Sequence, residues 1–206
     1  MKKTLFAALA VLCVAVLVPQ TLEAGVGLKG GYSWSTISIG SPVPLPFTFG
    51  TLSSITGGAY FGVGLGLFSV QPEILYTRMG GKYEVGEDSM ALQYQYIQVP
   101  VLLKINVIPA SPLRPFICGG GYGAYLLKAE GVMVVAGTRE ETSLTEDYQR
   151  LDYGVVGGAG LAFKLPGVSV SIEGRYNLGL MNIVKSPAEG ESIKNRSIMA
   201  LVGIGF

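Results

Sequence analysis

The sequence predicts an all-β protein, an eight-stranded antiparallel up-and-down β-barrel that spans a membrane. Three observations predict it. The chain of 206 residues is 49% apolar with a mean hydropathy of +0.46, yet after residue 24 it holds no apolar run as long as a transmembrane helix. Apolar and polar residues alternate along eight segments, which is the period of a strand with one face in lipid. The links between these segments are alternately long and short, as in a transmembrane barrel.

The N-terminal segment is typical of a secretory signal peptide. A short basic stretch is followed by the apolar run Leu5–Val18 and by a more polar stretch that ends in Ala24. An uncleaved membrane anchor is the alternative, but the apolar run is shorter than the ~20 residues that a spanning helix needs. We therefore expect residues 1–24 to be removed and residues 25–206 to form one barrel domain.

The last two segments show the alternation most clearly. From Val168 to Leu178, apolar residues alternate with serine, glutamate, arginine and asparagine. At the C-terminus every second residue is apolar, and the chain ends in an aromatic residue on that face, as do many chains that the barrel assembly machinery recognises. The candidate assembly signal is therefore Val202, Ile204 and Phe206.

Further segments fit the same pattern. They lie near residues 26–35, 59–65, 68–77, 96–105 and 152–164. Residues 114–128 also resemble a strand, but they are so rich in glycine that periodicity does not predict which side faces inward.

The links divide the barrel into two ends. Long polar links follow the first, third, fifth and seventh strands, at roughly residues 37–55, 79–92, 129–149 and 181–193. Tight turns follow the others, near Gly66, Pro109–Pro112 and Pro166–Gly167. This asymmetry predicts long external loops and periplasmic termini. Most acidic residues fall in these loops. The first loop differs because it is rich in proline and apolar residues, and this composition favours packing across the barrel mouth or contact with an extracellular ligand.

A soluble eight-stranded barrel of the lipocalin type is the main alternative, because periodicity does not tell which face is the core. The inner residues of this chain are mostly glycine or charged, which would make a poor soluble core. Aromatic residues also gather toward the strand ends, as in the girdles of membrane proteins. They are Tyr32, Trp34, Tyr76, Tyr153, Phe163 and Tyr176. These features favour a barrel in lipid.

Three acidic and three basic residues face inward according to the strand pattern. They are Lys29, Glu73, Lys104, Asp152, Glu173 and Arg175. Charges in a narrow barrel avoid the cost of unpaired burial by neutralising one another, so we expect a lumen charge network that fills the interior. A proton relay, an ion relay or a gated conduit is the alternative, although eight strands enclose little more than their own side chains.

The composition excludes several kinds of chemistry. The chain contains no histidine, which excludes Ser-His-Asp and Cys-His catalysis and histidine-ligated zinc. Its near-neutral charge gives no reason to expect nucleic acid. Cys118 is the single cysteine after residue 24, so no disulfide can form within the domain, and we expect it to be a buried apolar residue. We predict no enzyme, no metal site and no cofactor.

The stretch Gly25–Gly30 matches the pattern G-x-G-x-x-G of dinucleotide-binding loops. No strand is predicted before it, no helix after it, and no acidic residue lies ~20 residues further on to bind a ribose. We therefore interpret these glycines, and those on other inner faces, as making room for larger inner side chains.

Several stretches together carry a family resemblance. They are "GLKGGYSWS", "SVQPEILYTRMGGKY", "QYIQVPVLLKI", "LRPFICGGGYGAYLL", "LDYGVVGGAGL", "GRYNLGLMNI" and "LVGIGF". In this order they resemble the strands of the outer-membrane β-barrels often labelled porin-family proteins, common in Bacteroidetes. The resemblance implies an OmpA/OmpX-like barrel in the outer membrane of a Gram-negative bacterium. We expect a monomer with lipid and the assembly machinery as partners, acting through its loops as a structural or interaction protein; a narrow solute channel is the alternative.

Overall fold

The computed structural model describes residues 22–40, 50–85, 88–108, 111–135, 138–186 and 192–206. The first 21 residues of the predicted leader, residues 41–49 of the proline-rich first loop and part of the Pro109–Pro112 turn lie outside this description. The described strands are β1 (Leu22–Gly40), β2 (Gly50–Leu65), β3 (Phe68–Val85), β4 (Asp88–Asn106), β5 (Leu113–Val135), β6 (Thr138–Ser143), β7 (Leu151–Leu165), β8 (Val168–Gly179) and β9 (Ser192–Gly205).

Eight of these strands form a closed antiparallel ring in the order β1-β2-β3-β4-β5-β7-β8-β9. The last strand pairs with the first, from Gly27 opposite Gly205 to Gly40 opposite Ser192. Beyond this ladder, the Phe206 amide donates to the Val26 carbonyl at 2.8 Å. The predicted eight-stranded barrel is confirmed.

The strand β6 lies outside the ring. The first half of β5 pairs with β7, and its second half pairs with β6 in a hairpin that rises above the ring. The hairpin of β3 and β4 likewise continues to the pair Val85 and Asp88. The expectation of polar links at 79–92 and 129–149 is therefore wrong for most of these residues. Two strands that leave the barrel side by side satisfy each other's backbone groups, so polar side chains do not end them.

The predicted short turns near Gly66 and at Pro166–Gly167 are confirmed. Gly66 has a φ of 60° and Gly167 a φ of 79°, a region that glycine enters without steric cost. Two-residue hairpin loops need such a residue, and proline before it presets the turn. Both turns lie at the end of the barrel that carries the chain termini, opposite the long hairpins.

The outer face of the ring is apolar, as predicted. Ile198, Val202 and Ile204 on β9 and Phe206 directly after it are 45–67% exposed, while the intervening Met199 and Leu201 are buried. The structure also settles the facing of β5, where Phe116, Cys118 and Tyr122 point inward. Among the described residues there is no helix long and apolar enough to cross a membrane. Within the described strands, the exposed apolar face is the surface that meets lipid.

The two ends of this apolar band carry different aromatic residues. At the end of the long hairpins, exposed tyrosines and one tryptophan occupy β1, β5, β7 and β8, and they are Tyr32, Trp34, Tyr125, Tyr153 and Tyr176. At the end of the termini, the exposed aromatic residues are phenylalanines, namely Phe61, Phe68, Phe163 and Phe206. Tyrosine and tryptophan place a polar group in the interface, whereas phenylalanine does not, so the two interfaces are chemically different.

Inner glycines leave room for large side chains, as expected from the sequence. A Cβ atom on Gly160 would lie 2.5 Å from the Phe116 ring, and one on Gly27 would lie 2.4 Å from the Tyr60 ring. Each would also meet a carbonyl oxygen of the neighbouring strand, at 2.5 Å and 2.4 Å respectively. The G-x-G-x-x-G stretch therefore lies within a strand, β1, where Gly27 serves close packing, whereas Gly30 faces outward and its nearest contact for a Cβ atom is at 3.9 Å.

Candidate functional site: the barrel interior

Four charged side chains meet at the centre of the lumen. The Lys29 ammonium of β1 lies 2.8 Å from Oε1 of Glu73 on β3 and 2.6 Å from Oε1 of Glu173 on β8. The Arg175 guanidinium donates two hydrogen bonds to the Glu73 carboxylate, at 2.6 and 2.7 Å, and lies 2.6 Å from Glu173. These side chains are at most 1% exposed, so the ion pairs that join opposite walls of the barrel are out of contact with bulk solvent.

Two further residues enlarge this cluster. Lys104 on β4 donates to Oε1 of Gln71 at 3.2 Å and lies 3.8 Å from the Glu173 carboxylate. The amide of Gln71 in turn donates to Glu73. We call these six residues the central cluster: Lys29, Gln71, Glu73, Lys104, Glu173 and Arg175.

Aromatic rings line the cluster on the side of the chain termini. The Lys104 ammonium lies 3.8 Å from the centre of the Phe116 ring, and Lys29 lies 5.0 Å from the centre of the Tyr60 ring. Both distances are within the range of cation–π attraction, which is strengthened where water is excluded. The two rings occupy the space that glycine provides on the neighbouring strands.

Asp152 lies inside the barrel but outside the central cluster. The carboxylate, 1% exposed, accepts a hydrogen bond of 2.9 Å from the amide of Asn195, which also donates to the Tyr96 hydroxyl at 3.3 Å. The register places Asp152 opposite Ala124, further toward the long hairpins than the level of Arg175. The expected grouping of six charges is therefore corrected to five charges in one cluster and a sixth in a second polar layer. Alternation predicts that a residue faces inward, but not at which height it lies.

An apolar plug fills the barrel above the polar layers, and sequence reasoning missed it. The rings of Tyr94 and Tyr148 are 4.8 Å apart at an angle of 59°, and Ile183 is fully buried beside them in the same apolar cluster. Ile37, Met79 and Leu126 belong to this cluster too. Tyr148 and Val184 form a β-bridge between two long links, which holds the plug over the mouth.

Part of the plug was detectable in the sequence. Tyr94 and Tyr96 share their side of β4 with the polar Gln98 and Lys104, while apolar residues occupy the other side at 97, 99, 101 and 103, so their inward facing follows from period two. Tyr148 and Ile183 lie in links without periodicity, and no local signal indicates that they fold back into the barrel.

Cys118 is buried and free, opposite Gly158 of β7. Among the described residues no group of three or more histidine, cysteine, aspartate or glutamate side chains is placed to hold a metal ion.

Comparison with known proteins identifies a family. A family model described as "Outer membrane protein beta-barrel domain" matches residues 19–185, which is most of the chain. No curated protein matches the sequence.

Three solved structures with similar folds are each distant in sequence. The outer membrane protein OprG from Pseudomonas aeruginosa is 10% identical with a TM-score of 0.51, over 90% of this chain and 97% of that chain. Neisserial surface protein A is 14% identical with a TM-score of 0.49, over 89% and 99%. The outer membrane protease OmpT from Escherichia coli is 10% identical with a TM-score of 0.48, over 93% and 99%. At these identities the likeness to OprG concerns the fold alone.

The central cluster predicts a large difference between two glutamate substitutions. Glu73→Gln leaves three buried cations around one carboxylate, and we expect a loss of about 3–5 kcal/mol in the free energy of unfolding. Glu141→Gln, in the exposed pair with Arg139 at 2.6 Å, should cost about 0–1 kcal/mol. Urea unfolding in lipid vesicles, followed by the fluorescence of Trp34, measures both. Equal losses in the two variants would contradict the role of the cluster.

Proposed function

The chain belongs to the outer membrane β-barrel family, which places it in the outer membrane of a Gram-negative bacterium, and from this premise we propose an occluded barrel that works through its surface. Its role is that of a structural or interaction protein, carried by the long loops. The single observation that carries this proposal is the filled interior, with charged, polar and apolar layers one above the other.

The charged, polar and apolar layers of the interior block the path of a solute through the lumen. The central cluster joins β1, β3, β4 and β8 across the lumen, and the Tyr94–Tyr148 plug closes the end of the long hairpins. An eight-stranded barrel encloses little more volume than its side chains occupy. This supports occlusion over the alternative, a narrow channel for small solutes or ions.

The same contacts support a role other than catalysis. Glu73 and Glu173 are both bound by Lys29 and Arg175, so neither carboxylate is available to transfer protons to a substrate. They also lie beneath the plug, out of reach of a substrate that arrives from the loop end. At 10% identity the fold likeness to a protease carries no catalytic residues across to this chain.

The orientation of the barrel is part of the proposal. Tight turns such as Pro166–Gly167 share one end with the chain termini, and the β5–β6 hairpin rises from the other. In transmembrane barrels the short turns are periplasmic and the long loops extracellular. Both termini are accordingly periplasmic, and the hairpins face the outside of the cell.

The occluded barrel predicts silent bilayer recordings. Wild-type protein and Arg175→Ala should both give no steady conductance in planar bilayers, because the plug remains when the guanidinium is removed. The triple variant Arg175→Ala, Tyr94→Ala, Tyr148→Ala removes the plug and weakens the central cluster, in which Lys29 still pairs with both glutamates. Steady conductance from this variant would show that the assay detects an open lumen. Steady conductance steps in wild type would overturn the occluded barrel and favour the channel.

The loops can be tested by removing one of them. Glu130 and Ser143 are paired across β5 and β6, so an Asn-Gly turn can join them in place of residues 131–142 without moving the barrel. Cells that make this variant should be as sensitive to detergent as cells that lack the protein, although the purified variant still shifts on a denaturing gel when heated. The double variant Arg139→Gln, Glu141→Gln keeps the hairpin and serves as the control. Full protection by the excised variant would assign the role to the barrel wall.

The C-terminal residues Val202, Ile204 and Phe206 are proposed as the signal that the assembly machinery reads. Their side chains point outward at the strand that closes the ring, where a second protein can reach them. Phe206→Ser should lower the amount of barrel in the outer membrane several-fold, while the yield of refolding into vesicles stays unchanged. Phe163→Ser removes another exposed ring from the same end and should not affect assembly. An equal effect of both substitutions on assembly would contradict the signal.

A further inference from the structure

Four cationic side chains lie on the outer wall of the barrel near the long hairpins. Arg78 belongs to β3, Lys128 to β5, Arg150 directly precedes β7, and Arg196 belongs to β9. All four are exposed. We call them the cationic collar.

The collar lies just beyond the tyrosine and tryptophan girdle. Arg78 follows Tyr76 by two residues on β3, and Arg150 precedes Tyr153 by three. Arg196 is opposite Leu178 of β8, two residues further toward the hairpins than the pair Tyr176 and Ile198.

Lys128 lies at the same level. It is three residues beyond Tyr125 on β5, and the register places Gln95 of β4 between it and Arg78. Adjacent strands are about 4.8 Å apart, so Arg78 and Lys128 flank Gln95 on three neighbouring strands. The collar therefore follows the girdle around the barrel at one depth.

The contacts of the collar hold its side chains against the wall. Nε of Arg78 donates to the Tyr76 hydroxyl at 3.3 Å, and that hydroxyl donates to Gln95 at 3.0 Å. Lys128 lies 2.6 Å from the Glu130 carboxylate. These contacts fix the direction in which the two cations point. The hydrogen bond from Arg78 to Tyr76 uses one of the five donors of the Arg78 guanidinium.

Arg150 is held by the backbone instead. Its Nη1 atom donates to the carbonyl of Leu126 at 3.3 Å and shares a longer contact of 3.5 Å with the carbonyl of Leu127. A guanidinium anchored in this way presents its remaining donors to the bilayer interface at a fixed height, and its planar donor pair matches a phosphate.

The depth and the charge together identify the partner. An aromatic girdle marks the level of lipid headgroups, and the groups at that level that attract cations are phosphates. Glu140 and Glu141 of the hairpin lie further from the membrane, beyond the collar, while Glu130 lies within it beside Lys128. At the opposite end of the barrel the exposed aromatic residues of the described strands are phenylalanines, which have no hydroxyl group to place among the lipid headgroups.

We propose that the cationic collar binds the phosphate groups of lipids in the leaflet at the hairpin end of the barrel. The tyrosine hydroxyls and the tryptophan lie beneath the phosphates, and the acyl chains lie along the apolar wall. The collar makes the barrel prefer anionic phospholipids over zwitterionic ones at this interface.

Trp34 is the single tryptophan of the chain and lies in the girdle between Arg196 and Arg78, so its fluorescence reports on this site. The barrel is reconstituted in phosphatidylcholine vesicles that contain either brominated phosphatidic acid or brominated phosphatidylcholine, and quenching of Trp34 gives the relative affinity of the two lipids. Wild type should prefer phosphatidic acid. The double variant Arg78→Gln, Arg196→Gln should lose roughly tenfold in that preference.

The matched control is Arg139→Gln, Lys185→Gln, which removes two cations from the hairpin side outside the collar and should keep the preference. An absent preference in wild type, or an equal loss in both double variants, would overturn the proposal. Added inorganic phosphate should reduce the preference no more than chloride at the same ionic strength. A larger reduction would assign the collar to free phosphate instead of lipid. The heat shift on a denaturing gel verifies that each variant is folded.

Discussion

The rest of the interior depends on the ion pairs between Glu73, Glu173, Lys29 and Arg175. Each carboxylate is completely buried, and each is stable there only because two cations lie within 3 Å of it. Since these residues come from β1, β3 and β8, they reach one another only when the ring is closed with the correct register. A slip of one residue would turn the charges into lipid, so the cluster specifies the register of the barrel.

The cluster also determines what its neighbours can be. Glycine at position 158 lies opposite Arg175, and a Cβ atom there would be 3.1 Å from its side chain. Phe116 and Tyr60 close the cluster on the side of the chain termini, and the buried Met199 and Leu201 of β9 lie opposite Arg175 and Glu173 of β8. With the lumen occupied in this way, the surfaces left for interaction are the lipid-facing wall and the hairpins.

Those two surfaces differ from one end of the barrel to the other. Phenylalanines end the apolar band near the chain termini, whereas tyrosines, a tryptophan and the cationic collar end it near the hairpins. The hairpin end would bind lipid phosphates, and the end with the chain termini would meet only acyl chains and water. This difference would hold the barrel at a fixed depth in the membrane. The long hairpins would then project at a constant height above the lipid.

Except on the glycine-rich β5, the sequence by itself determined which strand residues face lipid and which face the lumen, because period two assigns a side of the strand without reference to the rest of the chain. It therefore predicted the outward row that ends in Phe206 and the inward facing of Arg175. The tertiary structure alone decided the height at which inward residues meet, which depends on the stagger between strands. For this reason Asp152 pairs with Asn195 instead of a cation, and Tyr148 folds into the barrel from a link whose local sequence carries no period.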